Sequence, residues 1–178
     1  MVVDNTKQDF IEKVSKKAGD YEEMSVNCAQ GTIAALAEEF DFDGIEELIK
    51  SASFFPGIML RGETCGAVTG GLMALGMALG REKLSDPSYK TPEAAEELLR
   101  RRTLVWNFCE EFKEKWGSTM CNCVRPAIMG RDYNTMIPEE RVQFINDGGA
   151  KQCRQPPEYA ARLIAEILLA EGIEPKRK

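Results

Sequence analysis

The chain has 178 residues, 43% of them hydrophobic and 29% charged, with a net charge of −6 and no histidine. That length suits one domain able to bury a core without staples, and the acidity excludes a nucleic-acid surface, which needs a basic stripe that is absent here. The missing histidine removes the commonest general base and metal ligand, along with every Cys–His or Ser–His nucleophile arrangement.

Residues 1–9 lack the apolar run of a signal peptide. The longest apolar stretch, residues 66–80, is too short and too rich in glycine to span a bilayer, which takes about 20 residues. A cytoplasmic protein with no membrane role is the expectation. Thiols stay reduced in that compartment, so the six cysteines read as ligands or redox groups before they read as structural disulfides. The competing reading is that buried cysteines only fill core space.

Taken in order, Phe10, Ile11, Val14 and Ala18 recur at helical spacing after the capping residues Asp4, Asn5 and Thr6, and Gly19 is expected to end this first helix. Ser25 or Asn27 can cap a second helix with Ile33, Leu36, Ala37 and Phe40 as its core stripe, which sets Cys28 near a helix N-terminus. Asp41 to Gly44 form a turn, residues 45–52 a short helix, and Phe54-Phe55-Pro56-Gly57 a break that opens a loop. Asp86-Pro87-Ser88-Tyr89 form another loop. Thr91-Pro92-Glu93 is a helix start with threonine at the cap and proline at the first position, and that helix runs to Trp116, ended by Gly117. Its Cys109 reads as core filler and Arg100-Arg101-Arg102 as a solvated face. Pro138-Glu139-Glu140 open a short helix closed by Asn146 to Gly149, and Pro156-Pro157-Glu158 start the last one. The tail at residues 175–178 reads as disordered. Strand-like alternation is missing throughout, so the expected fold is all-α: a compact multi-helix bundle in a single domain over residues 1–178.

The chain is organised around Arg61-Gly62-Glu63-Thr64-Cys65-Gly66-Ala67-Val68-Thr69-Gly70-Gly71. A helix over the following apolar run would hold Cys65 in its first turn, where unpaired N–H groups and the positive end of the dipole favour a thiolate. Gly66, Gly70 and Ala74 fall on one line of that helix, with Ala67, Gly71 and Ala78 beside it. Each interior glycine costs roughly 0.5–1 kcal/mol relative to alanine, and close approach of another helix is the reason to tolerate them, either within the chain or across a homodimer. Glu63 is placed to act as a proton acceptor for thiol chemistry, and Arg61 to stabilise an anion. The competing readings are a glutamate serving the helix dipole and a solvated loop arginine.

Gly62-Glu63-Thr64-Cys65-Gly66-Ala67-Val68-Thr69-Gly70, with Asn27-Cys28-Ala29 before it and Gly117-Ser118-Thr119-Met120-Cys121 and Cys153 after it, resembles the C_GCAxxG_C_C family, redox-active proteins named for four cysteine landmarks. The resemblance runs from about residue 25 to residue 168. Here the cysteine precedes the glycine, while the Ala-x-x-Gly spacing is kept. Cys28, Cys65, Cys121 and Cys153 are the residues the resemblance nominates, either as catalytic thiols or as ligands of a cofactor. Cys123 could join Cys121 in holding a metal only from a loop, because on a regular helix the two point about 200° apart.

Three functions follow. Four thiolates from separate elements suit an assembled site, and a redox-active resemblance favours an iron–sulfur cluster and electron transfer over zinc, which has no redox chemistry. The same cysteines could run thiol/disulfide exchange without metal. Or they hold structural zinc, or merely pack, in an interaction domain. A redox partner protein is expected under the first two readings.

Overall fold

Apolar residues three and four apart recur through most of the chain, and each such run is helical in the computed structural model, which describes residues 5–86 and 90–176. Asp4, expected as a capping residue, most of the loop expected over residues 86–89 and the tail at residues 177–178 lie outside the described residues. Helix α1 spans Asn5–Ser25, α2 Cys28–Phe40, α3 Ile45–Ser51, α4 Gly66–Leu79 and α5 Pro92–Trp116. Then come α6 Cys121–Met129, α7 Pro138–Asn146, the single turn α8 Gly149–Gln152, and α9 Gln155–Ala170. Among the described residues the one extended pairing is an isolated antiparallel bridge between Thr64 and Met120. The fold is all-α.

Helices α1, α2, α4 and α9 enclose the main core, and α5 lies across α4 and α9. Ile11, Val14 and Ala18 of α1, Leu36 of α2, Val68 and Leu75 of α4, and Ile164 and Leu168 of α9 are fully or almost fully buried there. Phe108 and Phe112 carry α5 onto this core.

The expected helix ends hold at several places. The Asn27 Oδ1 accepts from the Gln30 N–H at 3.1 Å, and the Thr91 Oγ1 accepts from the Ala94 N–H at 3.2 Å. Gly117 closes α5 in the left-handed conformation, with φ of 76°. Gly19 does not end α1, which continues to Ser25. The reason is close approach: a Cβ at Gly19 would collide with the Glu158 side chain of α9. Nor is the whole C-terminal tail loose, since the Lys176 N–H donates to the Glu39 carbonyl at 2.7 Å and its Nζ pairs with Asp41 at 2.7 Å.

The small-residue face of α4 brings other elements very close. A Cβ at Gly70 would stand 2.5 Å from the Ala29 carbonyl oxygen of α2, and one at Gly71 would stand 2.5 Å from Ile164 Cδ1 and 2.8 Å from Phe108 Cζ. The glycines therefore let three helices converge on the start of α4.

Candidate functional site

The cysteines gather where helices begin. Cys28 is the first residue of α2, Cys65 is the cap of α4, Cys121 is the first residue of α6, and Cys153 lies two residues before α9. Helix starts supply unpaired N–H groups and a positive dipole end, both of which favour a sulfur anion.

A short backbone clamp fixes two of them together. The Cys65 N–H donates to the Thr119 carbonyl at 2.8 Å, the Cys121 N–H to the Glu63 carbonyl at 2.6 Å, and the Asn122 N–H to the Gly62 carbonyl at 3.0 Å. This is the Thr64–Met120 bridge seen from the site, and it ties the head of α4 to the head of α6.

The strand of chain that reaches the clamp is strained. Gly57, Ile58, Met59 and Leu60 have φ of 53°, 43°, 58° and 62°, a left-handed turn in succession. For L residues that hand costs about 1–2 kcal/mol each. The turn is held by Leu60 N–H to the Pro56 carbonyl at 2.8 Å and by two N–H groups, of Arg61 and Glu63, on the Gly57 carbonyl. Gly57 can sit here because it combines positive φ with contact on Cys121, whose Cβ would be 3.3 Å from an added Cβ. Among the described residues strain is concentrated at this wall of the cysteine site, which fits the tendency of such outliers to mark functional places.

The thiols of Cys28 and Cys65 interact, hydrogen bonding with Cys65 being the largest influence on the Cys28 proton. The Gly66 N–H, freed by the start of α4, is also bonded to the Cys28 sulfur. No side chain fits at position 66, because its Cβ would overlap the Cys28 Sγ. Cys65 is buried and Cys28 half-buried. The hydrogen bond with Cys65, then burial, then the nearby Glu22 carboxyl hold the Cys28 thiol well above its ordinary pKa.

Cys121 and Cys153 stand within electrostatic reach of this pair. Burial pushes the Cys121 thiol up to about 12, opposed by Arg125 and aided by Cys28, Asp132 and Glu22. Burial also pushes up the Cys153 thiol, with Glu22, Cys28 and Cys121 adding to it. Cys123 faces outward on the first turn of α6, where its Sγ donates to Asn122 Oδ1 at 3.5 Å. It heads a helix, not a loop, so the geometry that would let it share a metal with Cys121 is missing. Cys109 lies on α5, half-buried against the edge of the core.

Two functional candidates escaped the sequence reading. Glu22 is 3% exposed, its Oε2 has no hydrogen-bond partner, and burial raises its pKa well above the usual carboxylate range. It continues the buried stripe of Ile11, Val14 and Ala18 at helical spacing, and a charged residue in an apolar stripe was the legible signal. Arg125, four residues after Cys121 and so on the same helix face, is 8% exposed. Its Nη2 pairs with Asp132 at 2.9 Å, and its Nε has no partner. Glu63, expected as a proton acceptor, instead turns its carboxylate outward to Arg61 at 2.9 Å, and both side chains are substantially exposed.

A wide groove of about 1210 Å³ lies elsewhere, between α4 and α5, lined by Leu72, Gly76, Leu79, Arg101 and Trp106. Of the cysteines only Cys109 borders it, so the groove and the thiol chemistry are in different places.

Fit to a metal or cluster can be tested on the donor set. Among the described residues no group of three or more histidine, cysteine, aspartate or glutamate side chains could hold a metal ion. The Cys28 thiol is tied to Cys65, whereas Cys121 and Cys153 feel Cys28 through charge. As arranged, the donors make a pair with two outlying thiols, not a shared coordination shell.

Among the described residues no helix is long and apolar enough to cross a membrane. Residues 26–167 match a family model described as "Putative redox-active protein (C_GCAxxG_C_C)". Neither a curated protein nor a solved structure matches the chain.

Proposed function

The chain belongs to the redox-active C_GCAxxG_C_C family, and from that premise we propose that it is a thiol/disulfide redox protein whose working couple is Cys28 and Cys65. The observation that carries this reading is the close placement of the two cysteines at the heads of two helices, where a Cβ at Gly66, next in sequence to Cys65, would overlap the Cys28 Sγ. Paired thiols close together need little movement to bridge; Cys65 and burial hold the Cys28 proton tightly, and the Gly66 N–H and the dipoles of α2 and α4 oppose that without outweighing it.

The exchange runs on a disulfide carried by a redox partner. Cys28, the more accessible of the two, attacks one partner sulfur, and the partner S–S bond breaks as the first partner thiolate leaves. Cys65 then attacks the Cys28 sulfur of the mixed disulfide, and the second partner thiolate leaves. Two electrons pass to the partner disulfide, a Cys28–Cys65 bond forms, and the two thiol protons end on the two released thiols. Cys121 and Cys153 form an outer reserve, their thiols held up by burial as that of Cys28 also is.

Neither the iron–sulfur centre that the resemblance favours nor the alternative zinc site on Cys28, Cys65, Cys121 and Cys153 fits the thiols as arranged, and no step is routed through either. Iron and zinc analysis with a visible spectrum of anaerobically purified protein addresses it directly. The dithiol reading is tested by titrating thiols before and after mild oxidation and mapping the product by mass spectrometry. The expected result is the loss of two thiols and a Cys28–Cys65 cross-link. Retention of both thiols, or pairing of Cys28 with another cysteine first, overturns it.

A further inference from the structure

Charged residues make up 29% of the chain, yet none occurs between Glu23 and Glu38 or between Lys50 and Arg61. Water-facing apolar side chains collect in those two runs: Phe54 is 71% exposed, and Val26, Phe55, Met59 and Leu60 are exposed with it. The fold brings the runs together at Cys28. The Asn27 side-chain amide donates to the Ser53 carbonyl at 3.1 Å, and the Gln30 amide to the Ser53 Oγ at 3.1 Å. A Cβ at Gly66 would overlap the Cys28 Sγ and stand 3.2 Å from the Pro56 Cα, so Pro56 and that sulfur flank the same point.

Three of these side chains are held outward by an unfavourable backbone. Val26, Met59 and Leu60 have φ of 52°, 58° and 62°, a region that β-branched and bulky L residues rarely adopt. The chain thus accepts backbone strain and exposed apolar surface at the same places, two separate costs. Strain of this kind gathers at segments that contact ligands, and grouped exposed apolar residues mark a contact surface.

Resting on the dithiol reading above, we propose that the rim of Val26, Phe54, Phe55, Met59 and Leu60 recognises a protein substrate that presents its disulfide between uncharged, apolar residues. Charge decides the occupant. The rim has no cation to hold the carboxylates of a small anionic disulfide such as oxidised glutathione, and Arg61 at its edge is engaged by Glu63 at 2.9 Å. The net charge of −6 repels such a molecule further, as it does an acidic lipid surface or a second copy of the chain. An apolar segment loses nothing to that field and gains by covering the rim. The electrons balance within the exchange: the substrate S–S bond is reduced to two thiols as Cys28 and Cys65 give up their protons and bridge.

The test uses the reduced full chain and two synthetic peptides, each closed by a disulfide. They are identical except that leucine and phenylalanine flank the cysteines in one and serine in the other. Each exchange rate is divided by that of dithiothreitol with the same peptide, which removes intrinsic differences in reactivity. Wild type should prefer the apolar peptide by about 10-fold, the order expected for burying one large side chain. Phe54→Ser together with Met59→Ser should bring that ratio to within about 2-fold, whereas Leu84→Ser, beyond the far end of α4, should keep it. Both rates come from one sample, so any unfolded fraction lowers them alike and leaves the ratio. Equal rates in wild type, or the full ratio in the double variant, overturn the proposal. So does wild-type binding to phosphatidylcholine vesicles, or wild-type dimerisation, that the double variant loses, since the rim would then belong to a membrane or a second copy. Absence of a Cys28–Cys65 cross-link in wild type after reaction removes the dithiol reading and this one with it, while equal rates with the cross-link present remove the substrate class alone.

Discussion

The two halves of α4 carry the same kind of sequence and live in different surroundings. From Gly66 to Gly71 every residue is buried, pressed against α2, α9 and the aromatic face of α5. From Gly76 onward the helix leaves the core: nothing lies within 4 Å of a Cβ added at Gly76, and Met77 is 44% exposed beside the open groove. Glycine in the first half is a spacer that sets sulfur-to-sulfur geometry. Glycine in the second half has no neighbour to make room for. Small residues thus mark close approach only where a facing backbone exists, and that cannot be read from one helix alone.

The largest break in this contrast should come from Gly70→Ala. Its new methyl would meet the Ala29 backbone at 2.5 Å, and backbone cannot swing aside as a side chain can. A loss of about 3 kcal/mol, the upper end for overpacking, is expected in urea unfolding. Gly66→Ala should lose comparable stability and also fail to form the Cys28–Cys65 cross-link, since the methyl falls on the Cys28 sulfur. Gly71→Ala should cost less, about 1–2 kcal/mol, because it meets the movable ends of Ile164 and Phe108.

The buried end should also be the alkali-sensitive one. Cys121 titrates near 12 in the folded chain, above an unfolded thiol near 8.5. The folded state therefore holds its proton more tightly between those values. Stability from this group is complete below the unfolded value and is lost as pH rises toward 12. Melting temperature should fall over that window, and Cys121→Ser should flatten the fall relative to wild type.

At the open end the sign should reverse. Gly76→Ala should stabilise the protein by about 0.5–1 kcal/mol, as expected for glycine in a helix with free space around it. Cys123→Ser should do almost nothing: a stability change within about 0.5 kcal/mol and the same number of oxidisable thiols in the site. A lost cross-link in Cys123→Ser would erase the distinction between inner and outer cysteines.

Much of this was legible before the fold was known. Helical periodicity placed α2, α5 and α9, and Thr91 and one of the two caps offered for α2, Asn27 and not Ser25, marked two of their starts, because both signals are local. The placement of Cys28 and Cys65 at helix starts followed from the same signals. Gly19 misled, because a glycine that ends a helix and one that admits a neighbour look alike in one dimension. Glu22 was passed over because a stripe is normally read for its apolar members, and the exception carried the information. Glu63 attracted attention by lying two residues from Cys65, yet sequence neighbours of a helix cap can point away from the site, and here Arg61 draws its carboxylate outward. The clamp between residues 62–65 and 119–122 joins segments far apart in sequence through backbone groups alone, so no side-chain pattern announces it.

The turn over residues 57–60 runs against the screw sense of every helix around it. Mirror-image amino acids prefer the hand that L residues resist. D-isoleucine, D-methionine and D-leucine at positions 58, 59 and 60 would therefore sit in a relaxed backbone well where the encoded residues are strained. Chemical synthesis of such a chain would separate the shape of the wall beside Cys121 from the tension stored in it, a division that no exchange among genetically encoded side chains can make while keeping their size.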